Sequence, residues 1–277
     1  MLRSHRLFRL VILSAVLLTG LVLFSHASPS GASRPFRVYL TFDDGPIPGN
    51  TNVILDILKK YGVKATFFDQ GSHIHGNEQY LRREILEGHH IGNHLVFHDP
   101  IIMSPVNPPD SLVLAKYAET DAAIRYALGG LAGQWDIELP VKLFRWPGGA
   151  IHAIPLPDVI TYNWTSATHD SGGVTPYGAL YNALYGATEV QDFGAYGWGD
   201  GTVILIHDWS RSSITALPLI IENLRDNGAT FETLPRPGDK PGTMPIVLGD
   251  VPPCAKHGGS CTALLKSFSF QNTLPTN

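Results

Sequence analysis

The sequence predicts an α/β fold built on a parallel sheet. From residue 36 onward, short runs rich in β-branched and aromatic residues alternate with segments of helical period. In the run 202–206, residues 203–206 are apolar without interruption, as strands buried on both faces are. Polar clusters follow several of these runs directly, and in parallel α/β folds chemistry gathers at the C-terminal ends of the strands. Parallel neighbours need a crossover, usually a helix, so the order implies either a barrel or a doubly wound sheet.

The elements are read in chain order. Residues 37–42 form the first strand. Asn50 or Thr51 caps a helix whose apolar face is Val53, Ile54, Ile57, Leu58 and Tyr61, and Gly62 ends it. Residues 65–68 give the next strand, 77–87 a helix, 90–92 a strand and 112–128 a longer helix. The runs 143–145, 159–163 and 202–206 read as buried strands. A helix spans 216–227, with Pro218 tolerated in its first turn, and 230–233 is a last short strand.

Composition bounds the function. Of 277 residues, 44% are hydrophobic and 16% charged, enough apolar material for a real core. The net charge of −4 carries no basic excess, which argues against nucleic acid as a partner. Arg3, His5, Arg6 and Arg9 precede a 15-residue apolar run at 10–24, and Ser25, His26 and Ala27 resemble a cleavage site. The run is short of the ~20 residues of a spanning helix, so cleavage after Ala27 is favoured over a retained anchor. The chain is thus expected to be exported to the periplasm, cell envelope or exterior. It meets the membrane only if that segment is uncleaved. The expected organisation is a signal peptide at 1–27, a linker at 28–35, a catalytic domain at 36–234 and a Pro/Gly-rich tail at 235–277. The two cysteines, Cys254 and Cys261, lie in that tail and are expected to close a short loop in an oxidising compartment.

Four clusters carry chemistry. Asp43 and Asp44 are adjacent carboxylates after an apolar strand, followed by Gly45 and Pro46. Such neighbours repel unless a cation or proton relieves them, so one as metal ligand and the other as base is a natural division; a solvated turn is the alternative. His94 and His98 are spaced i, i+4, which puts two imidazoles on one face if the segment is a helical turn, although twelve histidines make a chance pair possible. With Asp44 they make two histidines and one carboxylate, a set that suits zinc with open positions for water or non-haem iron. His73, His75, His89 and His90 read as ordinary. Arg145 follows a strand and is able to pair with a carboxylate, and Gly148 lets backbone approach a ligand. His207 ends a buried strand, where a general acid would sit.

In order, TFDDGP at 41–46, ATFFDQG at 65–71, GNHLVFH at 92–98, RWPGG at 145–149 and ILIHD at 204–208 resemble the polysaccharide deacetylase family, the NodB-homology group or carbohydrate esterase family four. The resemblance covers about 200 residues. It implies a distorted (β/α) barrel and a divalent metal, usually zinc with cobalt or another divalent ion as options, held by Asp44, His94 and His98. It implies Asp43 as general base steadied by Arg145, and His207 as general acid oriented by Asp170. The Gly148 amide would hold the oxyanion, with Leu205 beside the substrate. The implied activity is hydrolysis of acetyl groups from N-acetylated sugars of a chitin-like or peptidoglycan glycan, and no protein partner is implied.

Three departures from the family pattern, at four positions, stand out. Leu95 stands where Ser or Thr is frequent. In the fourth motif Ala167 replaces an aspartate and Ser171 a tryptophan. Gly148 stands where many members carry an aromatic residue. The last two changes re-shape the sugar groove, to which Tyr177, Tyr181, Tyr185, Tyr196 and Trp198 are candidates for stacking. A carbohydrate-binding pseudoenzyme would be expected to have lost one of Asp43, Asp44, His94, His98 or His207, and all five are present. An O-acetyl esterase on xylan remains an alternative, and an iron oxygenase leaves Asp43, Arg145 and His207 without a role.

Overall fold

The computed structural model describes residues 35–133, 141–150, 159–185 and 200–237, all within the unit Pro35–Asn277. The signal peptide, Tyr196, Trp198, Cys254, Cys261 and nearly all of the C-terminal tail lie outside the described residues.

Eight strands form one sheet: β1 (Phe36–Gly45), β2 (Thr66–Asp69), β3 (His90–Asn93), β4 (Leu143–Phe144), β5 (Ile160–Thr161), β6 (Ser166–Ala167), β7 (Thr202–His207) and β8 (Ala229–Phe231). Their order is β5-β4-β3-β2-β1-β7-β6, with β8 beside the start of β1, and every pair is parallel. Helices α1 (Thr51–Tyr61), α2 (Gly71–Ile74), α3 (Glu78–Leu86), α4 (Asp110–Leu128), α5 (Pro176–Tyr185) and α6 (Arg211–Asp226) lie between strands. Among the described residues no ladder joins β5 to β6, so the expected distorted barrel is a curled half-barrel.

The alternation of β1 sets up both of its faces. Val38, Leu40 and Phe42 pack into the main core with Ile54, Leu55 and Leu58 of α1 and Leu217, Ile220, Ile221 and Leu224 of α6. Tyr39 points the other way and meets Phe68, Leu143, Tyr162 and Val203, drawn from several strands or their ends. A flat sheet does not bring those residues together; a curled one does. Thr41 and Asp43 follow Tyr39 at period two, toward the mouth of this inner face.

Several sequence expectations need correction. The first helix buries Leu55 where Val53 was expected, and Val53 is exposed. Asn50 precedes it without a capping hydrogen bond and instead donates from its side chain to the Asp208 carbonyl at 2.9 Å. Helix α6 starts at Arg211 rather than 216, because the Ser210 side chain accepts from Ser213 N and adds earlier turns, which leaves Pro218 in the interior. The short elements α2 and β6 carry too little periodic signal to be read in advance, and the ten-residue α5, rich in Gly, Ala and Tyr, is not anticipated as a helix. Gly62 ends α1 in the left-handed region, φ 63°, as expected.

Candidate active site

Asp43 and Asp44 lie inside β1, not after it, and a local irregularity points both toward one site. The β1–β2 register shifts between Asp43 and Gly45, and Asp44 adopts φ 69°. Such a bulge abolishes strict alternation, so neighbouring side chains need not face opposite ways.

His94 and His98 meet without a helix. The segment after β3 is a loop in which buried Leu95 takes φ 56°, with Leu95 N donating to Asn93 Oδ1 at 2.9 Å. The Leu95 side chain packs with Ile102, Val113, Tyr117, Phe144 and Trp146. Apolar packing thus holds the loop where a hydroxyl residue was expected.

Asp44 Oδ1 lies 3.4 Å from His94 Nε2 and 2.9 Å from His98 Nε2, and the two Nε2 atoms are 3.4 Å apart. His94 Nδ1 donates to the Arg145 carbonyl at 2.8 Å, so in the neutral ring the Nε2 lone pair is free. Asp44 Oδ1 is buried and makes no hydrogen bond despite its close neighbours. A tetrahedral zinc with bonds of about 2.0–2.1 Å has ligand-to-ligand edges of about 3.3 Å. The three donors therefore fit one small divalent cation in chemistry, spacing and unmet valence. Burial alone would raise the Asp44 carboxyl, but His94 and His98 outweigh it and hold it well below the usual range. His98 is raised by Asp44. His73, read as ordinary, sits behind the cluster and donates from Nδ1 to the Asp44 carbonyl at 2.8 Å.

Two charge pairs flank the donors. Arg145, fully buried, donates from Nη1 to Asp43 Oδ1 and Thr41 Oγ1, both at 2.7 Å, and from Nε to the Tyr162 carbonyl at 2.9 Å. Its guanidinium lies over the Phe68 ring, 4.3 Å from the centroid. Asp43 Oδ2 is left toward the cluster, 3.9 Å from His94 Nε2. On the other side His207 Nδ1 donates to Asp170 Oδ1 at 2.5 Å. Asp170 Oδ2 also accepts from His207 N and from Ser213 Oγ, at 3.1 and 2.7 Å. Burial pushes the His207 imidazolium down, but the Asp170 contact outweighs it and the net shift is upward. Asp170 is held down by the same pair against the effect of its own burial.

His207 and Asp170 line a cavity of about 310 Å³ with Gly148, Gly149, Trp164, Ala167, His169, Ser171 and Leu205. Its volume suits one sugar-sized ligand. Three of the four departing positions, Gly148, Ala167 and Ser171, are on its wall, and Leu95 is not. Gly148 has φ 64°, a left-handed backbone that favours glycine, and a Cβ there would come within 2.8 Å of Met103 Cε, the movable end of a flexible side chain. Tyr177 and Tyr181 are exposed on α5 and are not among the lining residues.

Sequence reasoning missed two features. Trp209 donates from its indole nitrogen to Asp44 Oδ2 at 2.8 Å and stacks on His207; its nearness to His207 in sequence was the available signal. Asp69, Glu84 and Asp208 are fully buried and present carboxylate oxygens without hydrogen-bond partners.

A parallel half-barrel with two histidines, one aspartate and flanking Arg–Asp and His–Asp pairs at its strand ends defines a metal-site α/β domain. Comparison with known proteins gives the family. The polysaccharide deacetylase family model matches residues 30–159. A peptidoglycan-N-acetylglucosamine deacetylase of Bacillus cereus is 33% identical over 215 residues, covering 74% of this chain and 70% of that one. Another of Listeria monocytogenes is 28% identical over 205 residues, and the match covers 72% of this chain but only 38% of that protein. A solved carbohydrate esterase of family 4 from Streptococcus mutans superposes with a TM-score of 0.60 at 28% identity, over 74% of this chain and 88% of that one. The chain belongs to the polysaccharide deacetylase family.

Proposed function

We propose that this chain hydrolyses the acetamide of N-acetylated amino sugars in a peptidoglycan-like or chitin-like glycan, with zinc as its metal. The observation that carries the reading is the three-donor cluster set between a carboxylate held by Arg145 and an imidazole held by Asp170. Relatives named as peptidoglycan and chitooligosaccharide deacetylases support the substrate class.

Asp44, His94 and His98 would hold the metal, which when bound polarises a carbonyl and acidifies water. Arg145 occupies Asp43 Oδ1 and leaves Oδ2 to take the proton of the attacking water. The Gly148 amide, beside the cavity, is suited to the developing oxyanion. Asp170 holds His207 Nδ1–H, so the opposite nitrogen donates the proton that the departing amine requires. No covalent enzyme intermediate is needed. Residues 36–234 are proposed as the catalytic domain. Its end is supported by Leu234, whose N donates to Thr66 Oγ1 at 2.9 Å and whose carbonyl accepts from His90 Nδ1 at 2.9 Å. The basic start and apolar run support export, which N-terminal sequencing of mature protein from culture would test through a start near Ser28.

Acetate release should be measured from N-acetylglucosamine oligomers, peptidoglycan and O-acetylated xylan, with and without chelator. Release from the first two, lost with chelator and restored by Zn²⁺, is expected. Release from xylan alone would overturn the substrate class.

A further inference from the structure

We propose that Trp209 is a positioning residue that holds the metal ligand Asp44 and the ring of His207 in fixed relation to each other. This rests on the roles proposed above for Asp44 and His207.

The backbone on either side of Trp209 is pinned. Asp208 N donates to the Asp43 carbonyl at 3.0 Å, and the Asp208 carbonyl accepts from the Asn50 side chain at 2.9 Å. Ser210 N donates to the His207 carbonyl at 3.1 Å, closing the turn, and the Ser210 side chain caps α6. These anchors fix the direction of the Trp209 Cα–Cβ bond, and the ring lies back toward Asp44 of β1 and His207 of β7.

Two contacts then meet in one indole. Nε1–H donates to Asp44 Oδ2 at 2.8 Å. That occupies one carboxylate oxygen and leaves Oδ1 facing His94 and His98 Nε2. Asp44 sits on a left-handed backbone, where a short side chain without an outer partner has little else to fix its rotation. Partners that orient a ligating carboxylate typically contribute 10–100-fold to metal affinity. The six-and-five ring face also stacks on His207, with centroids 4.9 Å apart and planes 24° from parallel. Asp170 fixes the Nδ1 edge of that imidazole, and Trp209 fixes its plane. An indole N–H is a donor only, so Trp209 neither competes for the cation nor carries the proton. Phenylalanine would supply the face without the donor, and an aliphatic residue would supply neither.

Two variants of the full chain separate the contacts. In competition with a chromophoric chelator, Trp209→Phe and Trp209→Leu are both expected to bind Zn²⁺ about 10–100-fold more weakly than wild type. In the pH profile of kcat/KM, Trp209→Phe should keep the alkaline limb. Trp209→Leu should move it down by about half a unit, since a ring face beside a cation favours the charged form modestly at a partly exposed position. The other groups facing His207 are Asp170 from the turn after β6, Asp43 and Asp44 from β1, and His98 from the loop after β3. All are unchanged between the two variants. Trp209 is 40% exposed, so its loss should leave the fold intact by circular dichroism; if the leucine variant does not fold, the phenylalanine variant alone decides the metal arm. Wild-type Zn²⁺ affinity in Trp209→Phe would overturn the proposal, and a raised KM with unchanged metal affinity would make Trp209 a sugar contact instead. His94→Ala is the control for the underlying reading. If it too binds Zn²⁺ normally, the donor assignment fails; if it loses Zn²⁺ while Trp209→Phe does not, only the role of Trp209 fails.

Discussion

Replacing Asp170 with Asn keeps the shape of the side chain and removes its charge. In the wild type Oδ1 accepts from His207 Nδ1 at 2.5 Å, and both side chains are shielded, 2% and 15% exposed. Hydrogen bonds to charged groups contribute about 1.5–3 kcal/mol, and about 1.4 kcal/mol is one pH unit. Loss of the charge should therefore lower the alkaline limb of kcat/KM by about one to two units. The amide adds a second problem, because Oδ2 accepts from both His207 N and Ser213 Oγ, and an NH₂ there faces a backbone donor. Stability carries the same signature. The His207 pKa is raised in the fold, so its contribution is complete below its unfolded value of about 6.5 and is lost as pH rises through the folded value. The Asp170 pKa is lowered, so its contribution is present above about 3.9 and is lost as pH falls through the folded value. The stability difference between wild type and Asp170→Asn should be largest between about pH 4 and 6.5 and shrink at both ends. Urea denaturation across pH and the pH–rate profile read both effects. If the alkaline limb stays in place while turnover falls, Asp170 does not hold the proton on His207 and the acid assignment is wrong.

Asp43→Asn should keep Zn²⁺ in elemental analysis and lose about 10²–10⁴-fold in kcat, whereas Asp44→Asn should lose Zn²⁺; near-normal turnover in the first would remove Asp43 as the base. Gly92→Ala places a Cβ 2.4 Å from Phe68, whose ring lies under Arg145, so it should cost about 1–3 kcal/mol in urea denaturation and reduce kcat together. Glu84 is pushed well above its usual value by burial and then by the nearby charges of Asp69 and Asp208. A raised acid makes stability fall as pH rises above its unfolded value of about 4.3, so Glu84→Gln should show a flatter decline between pH 5 and 8 than wild type. An equal or steeper decline would mean that Glu84 is ionised in the fold.

The fold was legible wherever one strand or helix carries enough residues to show a period. Residues 37–42 and 202–206 were found because each is a run of five or six residues dominated by apolar and β-branched side chains. Segments such as β6 and α2 were not, since Ser-Ala and Gly-Ser-His-Ile carry neither an apolar run nor a period. The candidate site was legible in its chemistry and not in its means. Asp44, His94 and His98 do come together, but a left-handed Asp44 and a left-handed Leu95 bring them there, and neither is the helical turn that i, i+4 spacing suggested. Backbone conformations of that kind are enforced by packing around them, here by Leu95 among Phe144 and Trp146. Trp209 escaped notice because its partner, Asp44, is 165 positions away in the chain.

The carboxylates at this end of the sheet divide by counter-charge. Asp43 faces Arg145, Asp44 faces two imidazoles and Asp170 faces a third, and all three sit where β1, β6 and β7 open toward the cavity or the donor cluster. Asp69, Glu84 and Asp208 lie in the same neighbourhood, and among the described residues none of them forms an ion pair. Gly45 marks how close: a Cβ on it would come within 2.7 Å of Asp208 Oδ2 and 3.0 Å of Asp69 Oδ1. Burial pushes Asp69 up to about 7, and raises Glu84 and Asp208 well above the ordinary range, while Thr51 Oγ1 donates to Asp208 at 2.5 Å. Six ionised acids around one small site would repel a bound oxyanion and bind cations without discrimination. Burying three of them without a counter-charge raises their proton affinity, so the negative charge that remains is concentrated on the residues paired with a cation or aimed at the donor cluster. Like-charge repulsion then works in favour of this division, because each ionised acid at the front raises the proton affinity of those behind it.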